Sequence, residues 1–438
     1  MTKEEVLAKL MFDVELRGLS KNTQDEYYSR VKIYQNHYDK PATELGEEDI
    51  RQFLHYLTTA IRYAAFKPDE MTGEYVIVIT VTIRKLCYSE ATKMGKGSEV
   101  YKMGYKYTPE AFNELLNSLK KKYKVYAPIL LKSKGRFSDT DLVGYDEIST
   151  IEDVVFTHKS YFSPKETFYP ITQTLFYFNE NEYREPAVDE RGILVFLRSC
   201  DIHAVERLDK IMLENGPTPD YYYERLRNKV KFIVMDCPES FDNCFCVSMG
   251  TNMTQNYSAS VRYQDGYFLS NVLEDIDGLF SLHGEQIEVT PQFVQKNKQT
   301  VKVPQSLNLG SVLENPIWEE YGSRCIACGR CNVVCPSCSC FTMQDIFYED
   351  NPKCGERRRV WASCHIDGFT DMAGGHSFRR NNGERMRFKV MHKISDFKKR
   401  FGVHMCVGCG RCDNACPEYI SFSQCVNRLG EEEVAELG

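Results

Sequence analysis

The stretch Cys325-Ile-Ala-Cys328-Gly-Arg-Cys331-Asn-Val-Val-Cys335-Pro336 decides how this chain is read, and it recurs as Cys406-Val-Gly-Cys409-Gly-Arg-Cys412-Asp-Asn-Ala-Cys416-Pro417. Each copy is C-x2-C-x2-C-x3-C-P, the spacing by which thiolates hold [4Fe–4S] clusters. Three cysteines two residues apart wrap one face of a cubane only if the chain turns tightly between them. Gly329, Gly408 and Gly410 permit that turn, because glycine reaches positive φ without steric cost. The fourth cysteine lies too far along to complete the same cube, and in two-cluster proteins it reaches the other one. Cys325, Cys328, Cys331 and Cys416 are therefore expected to hold a first cluster. Cys406, Cys409, Cys412 and Cys335 are expected to hold a second. Zinc knots and disulfides are the competing readings. Zinc sites present paired CxxC elements rather than four cysteines in one short run.

The 438 residues are enough for two or three domains. A hydrophobic share of 42% and a charged share of 27% are ordinary for a soluble globular protein. The net charge of -7 argues against general binding to nucleic acid or anionic membranes. No apolar run approaches the length of a membrane span, and the N-terminus MTKEEVLAKL lacks a signal-peptide core. Eighteen cysteines without a secretion signal point to a reducing, cytoplasmic setting and to metal binding. Oxygen-sensitive clusters suggest anaerobic life.

The expected class is an α+β multidomain chain. Residues 1–66 read as a small helical bundle, with a staple and capping box at Leu19 and Thr23-x-x-Glu26. They carry nine Lys or Arg against eleven Asp or Glu, poor footing for phosphate. Residues 67–101 form a linker or joint, with a short strand at 76–83. Residues 102–316 read as a central α/β domain with parallel strands, opening on a helix at Pro109. Two buried-type runs, 193–198 and 231–235, flank a helix. Strand, helix, strand implies a right-handed parallel crossover. Asp265-Gly266 marks a hairpin turn. No dinucleotide fingerprint or P-loop is present.

Those two strands deliver Arg198-Ser-Cys200-Asp201 and Asp236-Cys237-Pro238, and Cys244 and Cys246 follow closely. If the strands are neighbours, Cys200 and Cys237 emerge at carboxyl ends of the sheet, where open α/β sheets place ligands. Cys200, Cys237, Cys244 and Cys246 are thus candidates for a third [4Fe–4S] cluster. Packed idle thiols, or zinc with His203, are the alternatives.

Residues 317–438 form the domain with the two cysteine runs. The spacer from Pro336 to Met405 reads mainly helical, over 342–349, 359–373 and 385–401. That arrangement resembles the helical ferredoxin domain of fumarate reductase iron–sulfur subunits. The spacer holds thirteen Lys or Arg and eight Asp or Glu, a net of +5 in an acidic chain. Positive charge near an anionic cluster tunes its potential. Arg357, Arg358 and Arg359 read equally as part of that tuning charge, as a solvated helix start, or as a face for an acidic partner. Cys338 and Cys340 read as packing near the cube, and His365 and His376 as structural.

Two resemblances follow from particular residues. L-R-G-L-S-K-N-T at 16–23, Tyr27 and L-x-x-x-D-I-R-x-F-L at 45–54 resemble the N-terminal core-binding domain of tyrosine recombinases (phage integrases). The second covers residue 102 onward. Its matching elements are R-S-C-D at 198–201, D-C-P at 236–238, N-C-F-C-V-S-M-G-T at 243–251, C-P-S-C-S-C-F at 335–341, W-A-S-C at 361–364 and A-G-G-H-S-F-R at 373–379. Together they resemble the 4Fe-4S dicluster electron-transfer component of anaerobic sulfite reductase. The related sulfhydrogenase beta subunit shares the pattern. The resemblance implies a non-catalytic electron-transfer subunit beside a flavin and NAD(P)H subunit. It implies a siroheme subunit that reduces sulfite, or nickel–iron hydrogenase subunits, as the further partner. It also strengthens the third-cluster reading. A redox-sensing DNA-binding protein is the reading of a different class.

Overall fold

The computed structural model describes residues 103–437 apart from 136 and 138. The chain divides into two compact units, Met1–Glu99 and Val100–Gly438. The helices expected within 1–66 and the strand expected at 76–83 lie outside the described residues.

In chain order the described elements are β1 (Met103–Tyr107), α1 (Pro109–Lys120), β2 (Tyr123–Leu131), β3 (Leu142–Glu147), β4 (Thr172–Phe178), β5 (Tyr183–Arg184) and β6 (Gly192–Leu197). They continue with α2 (Ser199–Met212), α3 (Tyr221–Arg227), β7 (Val230–Met235), β8 (Ala259–Gln264), β9 (Tyr267–Val272), α4 (Leu279–His283) and β10 (Glu285–Ile287). The last part comprises α5 (Leu309–Glu314), α6 (Ile317–Arg324), α7 (Arg330–Val333), β11 (Phe341–Tyr348), β12 (Asn351–Trp361), β13 (Asp371–Met372), β14 (His376–Ser377), α8 (Asn382–Met391), α9 (Phe397–Phe401), α10 (Arg411–Ala415) and α11 (Phe422–Leu437). A π-helical turn, His392–Asp396, joins α8 to α9.

The main sheet has the order β10-β1-β9-β8-β7-β6-β2-β3. Its centre, β2, β6, β7 and β8, is parallel. A central parallel strand is covered on both faces, so it reads as a continuous apolar run. Successive side chains of β6 and β7 accordingly serve two cores. Leu194, Phe196, Ile233 and Met235 pack with Phe112, Leu115, Leu116 and Leu119 of α1. Ile193, Val195, Leu197, Phe232 and Val234 pack with Ile202, Val205 and Leu208 of α2 and Tyr223 of α3. Helix α1 starts where Thr108 accepts a hydrogen bond from the Ala111 amide, with Pro109 in the first turn. Burying each of its leucines and its Phe is worth about 1.5–3 kcal/mol. The hairpin expected at Asp265-Gly266 joins β8 and β9, and both residues have positive φ (51° and 83°).

The C-terminal part packs α6, α8 and α11 around Ile317, Trp318, Met386, Val390, Phe422 and Val426. Its long spacer departs from the helical expectation. Of the helix expected over 342–349, residues 342–348 fall in β11, and 359–373 begin inside β12; only the last third, α8 to α9, is helical. The two strands form a hairpin that continues into β4 and β5, giving the sheet β11-β12-β4-β5. Pairing with a strand more than 150 residues earlier decides the conformation here, and propensity read locally does not see that partner. The arginine triplet is correspondingly no helix start. Arg357 pairs across the hairpin with Asp345, and Arg358 pairs with Glu356 on its own strand. Arg359 is buried on Asp220 at 2.8 Å. Among the described residues no helix is long and apolar enough to cross a membrane.

Candidate iron–sulfur centres

The two cysteine runs each begin as a loop and close on a short helix, α7 or α10, capped by a glycine in the left-handed region (Gly329 φ 71°, Gly410 φ 67°). Left-handed backbone also occurs at the second loop position, as Ala327 (φ 55°) in the first run and Gly408 (φ 66°) in the second. These bends turn the thiols inward. Cys325, Cys328, Cys331 and Cys416 line one cavity, partly open to solvent, of about 490 Å³. Cys335, Cys406, Cys409 and Cys412 line an adjoining one of about 350 Å³. The fourth cysteine of each run thus faces the first three of the other. Cys331, Cys412, Lys389 and Phe422 line both spaces, so one layer of side chains separates them.

The surroundings fit an anionic group bound by thiolates. Burial pushes the Cys406 thiol up to about 12 and the Cys412 thiol well above the usual thiol range. Such thiols are not reactive nucleophiles; they ionise when a cation binds them. Two fully buried ammonium groups stand ready beside them. Burial opposes the charge on Lys389, yet Cys331 and Cys412 hold its pKa above the ordinary lysine value. Lys393 behaves likewise against Cys335, Cys338 and Cys406, and donates to Cys335 Sγ at 3.3 Å. Backbone N–H groups add to this: Gly408 donates to Cys406 Sγ at 3.5 Å and Ile420 to Cys416 Sγ at 3.3 Å. Cys338 and Cys340 line neither cavity; Cys338 lies against Cys335, and Cys340 against Cys364.

The parallel neighbours β6 and β7 bring Cys200 and Cys237 to one edge of the sheet. The 243–246 loop meets them there. Cys246 has Cys244 and Cys237 as electrostatic neighbours, and Cys200 has Cys246 and Cys409. Burial pushes the Cys246 thiol up to about 11, and Asn297 donates to its sulfur at 3.5 Å. Lys159 reaches Cys244 Sγ at 3.5 Å and the Cys409 carbonyl at 2.8 Å, tying this set to the second run. Both ring nitrogens of His203, the residue weighed as a zinc ligand, are engaged, with Glu206 at 2.9 Å and the Met253 carbonyl at 2.8 Å. Among the described residues no three His, Cys, Asp or Glu side chains converge tightly enough for a single metal ion.

The second run is bolted to the α/β part. Arg411 is buried and forms an ion pair with buried Asp201 at 2.6 and 3.0 Å, while also donating to Ser160. Close approach accounts for both glycines here. A Cβ on Gly408 would stand 2.6 Å from the Phe245 carbonyl, and one on Gly410 would stand 2.1 Å from the Asn243 carbonyl. The motif R-S-C-D at 198–201 thus supplies a thiol and the clasp in adjacent residues. Lys389, Lys393, Lys159, Asn297 and Arg411 were not singled out by the motifs. The spacer's basic excess was the signal for Lys389 and Lys393 alone, and Arg385, Lys389 and Lys393 are a buried stripe at helical spacing.

Fold and thiol constellation together define an iron–sulfur electron-transfer subunit. Residues 324–420 match the family described as a 4Fe-4S dicluster domain. Residues 6–67 match the phage integrase N-terminal SAM-like domain, over the span read as recombinase-like. The chain is 30% identical over 344 residues to sulfhydrogenase 2 subunit beta of Pyrococcus furiosus, covering 74% of this chain and 97% of that one. The chain belongs to the family of that beta subunit. No solved structure matches it.

Proposed function

We propose that this chain is the cytoplasmic electron-relay subunit of a multi-subunit oxidoreductase. It joins a flavin and NAD(P)H subunit to a terminal reducing subunit and turns over no substrate itself. A bound [4Fe–4S] cube supplies reversible one-electron uptake. The ligand sets are Cys325, Cys328, Cys331 and Cys416 for the first cube, and Cys406, Cys409, Cys412 and Cys335 for the second. Cys200, Cys237, Cys244 and Cys246 are the set for a third. The observation that carries the reading is the pair of adjoining thiol-lined cavities that share Lys389.

The chain's own contribution is order, insulation and charge. The three sets form a row, from the sheet edge at Cys200 through Cys409 to the exposed Cys328. Buried Lys389 and Lys393 offset thiolate charge at the middle of the row. Family membership favours hydrogenase-type subunits as the terminal partner. The sulfite-reducing reading, with a siroheme partner, rests on the shared motifs from 198 to 379. A DNA-binding sensor is disfavoured by the acidic excess in residues 1–66.

Anaerobic capture of the tagged chain from its own host, with metal analysis and optical spectra, tests this. Co-purified nickel and flavin without siroheme support the hydrogenase-type assembly. A siroheme band selects sulfite reduction instead. A chain that captures neither flavin nor a redox partner contradicts the relay.

A further inference from the structure

His365 stands out among the buried polar groups. Its side chain lines the first cavity with Cys325, Cys328, Cys331 and Cys416, and the residue is only 2% exposed. Neither Nδ1 nor Nε2 has a hydrogen-bond partner. Leaving even one such group unpaired costs about 1–3 kcal/mol. The position is held firmly. The His365 amide is bonded to Ser363 Oγ at 3.2 Å, and a Cβ on Gly329 would stand 3.1 Å from both Ser363 and Ile366. The segment therefore lies directly on the first cysteine run. An imidazole in either protonation state carries at least one N–H, and the lining side chains that could accept it are the cysteines, Met386 and the solvent-exposed Glu418.

We infer that His365 is a positioning residue that donates its ring N–H to a sulfur of the first cube and raises that cube's reduction potential relative to the second. The second cavity, lined by Lys393 and Ser337 instead, has no histidine. A donor aimed at sulfur stabilises the more electron-rich reduced state, so its removal lowers the potential. The inference rests on the cluster reading proposed above, and it concerns one cube only.

The test uses anaerobically prepared full-length holoprotein, with the two EPR signals assigned by the Cys328→Ala variant, which loses the first. In redox titrations, His365→Phe is expected to shift the first midpoint to lower potential with iron content intact. The second midpoint stays in place, and His365→Gln, which retains an N–H donor, recovers part of the shift. Pulsed EPR on protein carrying ¹⁵N-histidine is expected to show weak nitrogen coupling to the reduced first cube. An unchanged midpoint in His365→Phe, or loss of about four iron atoms per chain as for a true ligand, overturns the donor role. Wild-type protein lacking the first signal altogether would instead sink the cluster reading.

Discussion

The two cysteine runs are nearly the same sequence in opposite surroundings. In the first, Cys328 and Arg330 are exposed, and Ile326 is 59% exposed. In the second, Val407, Cys409 and Arg411 are all buried. The difference comes from what packs against each loop. The second run receives the 243–246 segment and the Asp201 clasp, whereas the first receives the 363–366 segment and Asn382 and leaves Ile326, Cys328 and Arg330 to solvent. One motif thus builds an interior relay position in one place and a surface terminal in the other.

The largest effect that would break this comparison is a failure of the crossed fourth ligand. Cys335→Ala should remove the second cube and leave the first, and Cys416→Ala should do the reverse. Iron falls by about four atoms per chain in each case. Resolved EPR in which each variant loses the cube of its own run would refute the crossing.

Next in size is the clasp. Arg411→Ala strands Asp201 as an unpaired buried carboxylate, and breaking such a pair costs about 3–5 kcal/mol. Arg330→Ala, at the matching exposed position, should stay within about 0.5 kcal/mol. Denaturant unfolding of the anaerobic proteins measures both. Equal losses would mean the two runs are not held differently.

A smaller contrast lies at the second loop position. Gly408→Ala adds a Cβ against the Phe245 carbonyl at left-handed φ, expected to cost about 2–3 kcal/mol. Ala327→Gly relieves the same backbone conformation without that neighbour and should be neutral or stabilise by up to about 1 kcal/mol. Thermal unfolding of the two variants gives the comparison directly.

The cysteine runs, the parallel strands 193–198 and 231–235, and the turn at Asp265-Gly266 were legible because each is encoded within a few residues. The β11–β12 hairpin was not. Its partner β4 lies far away in sequence, and the charged triplet at 357–359 mimics a helix surface until Asp220 and Asp345 are brought beside it. The buried lysines were half legible. Net charge flagged the spacer, but only the fold shows that Lys389 and Lys393 turn inward while the arginines pair elsewhere. From sequence His365 reads as a structural histidine, and only the fold shows both its ring nitrogens unpartnered in the first cavity.

The relay itself is tested most directly by iron, acid-labile sulfide and dithionite-reduced EPR on one anaerobic preparation of the full chain. At least about eight iron and eight sulfide per chain are expected, with two interacting S = 1/2 signals from neighbouring cubes. Zinc in place of iron, with no labile sulfide and no bleaching by dithionite, would contradict the account.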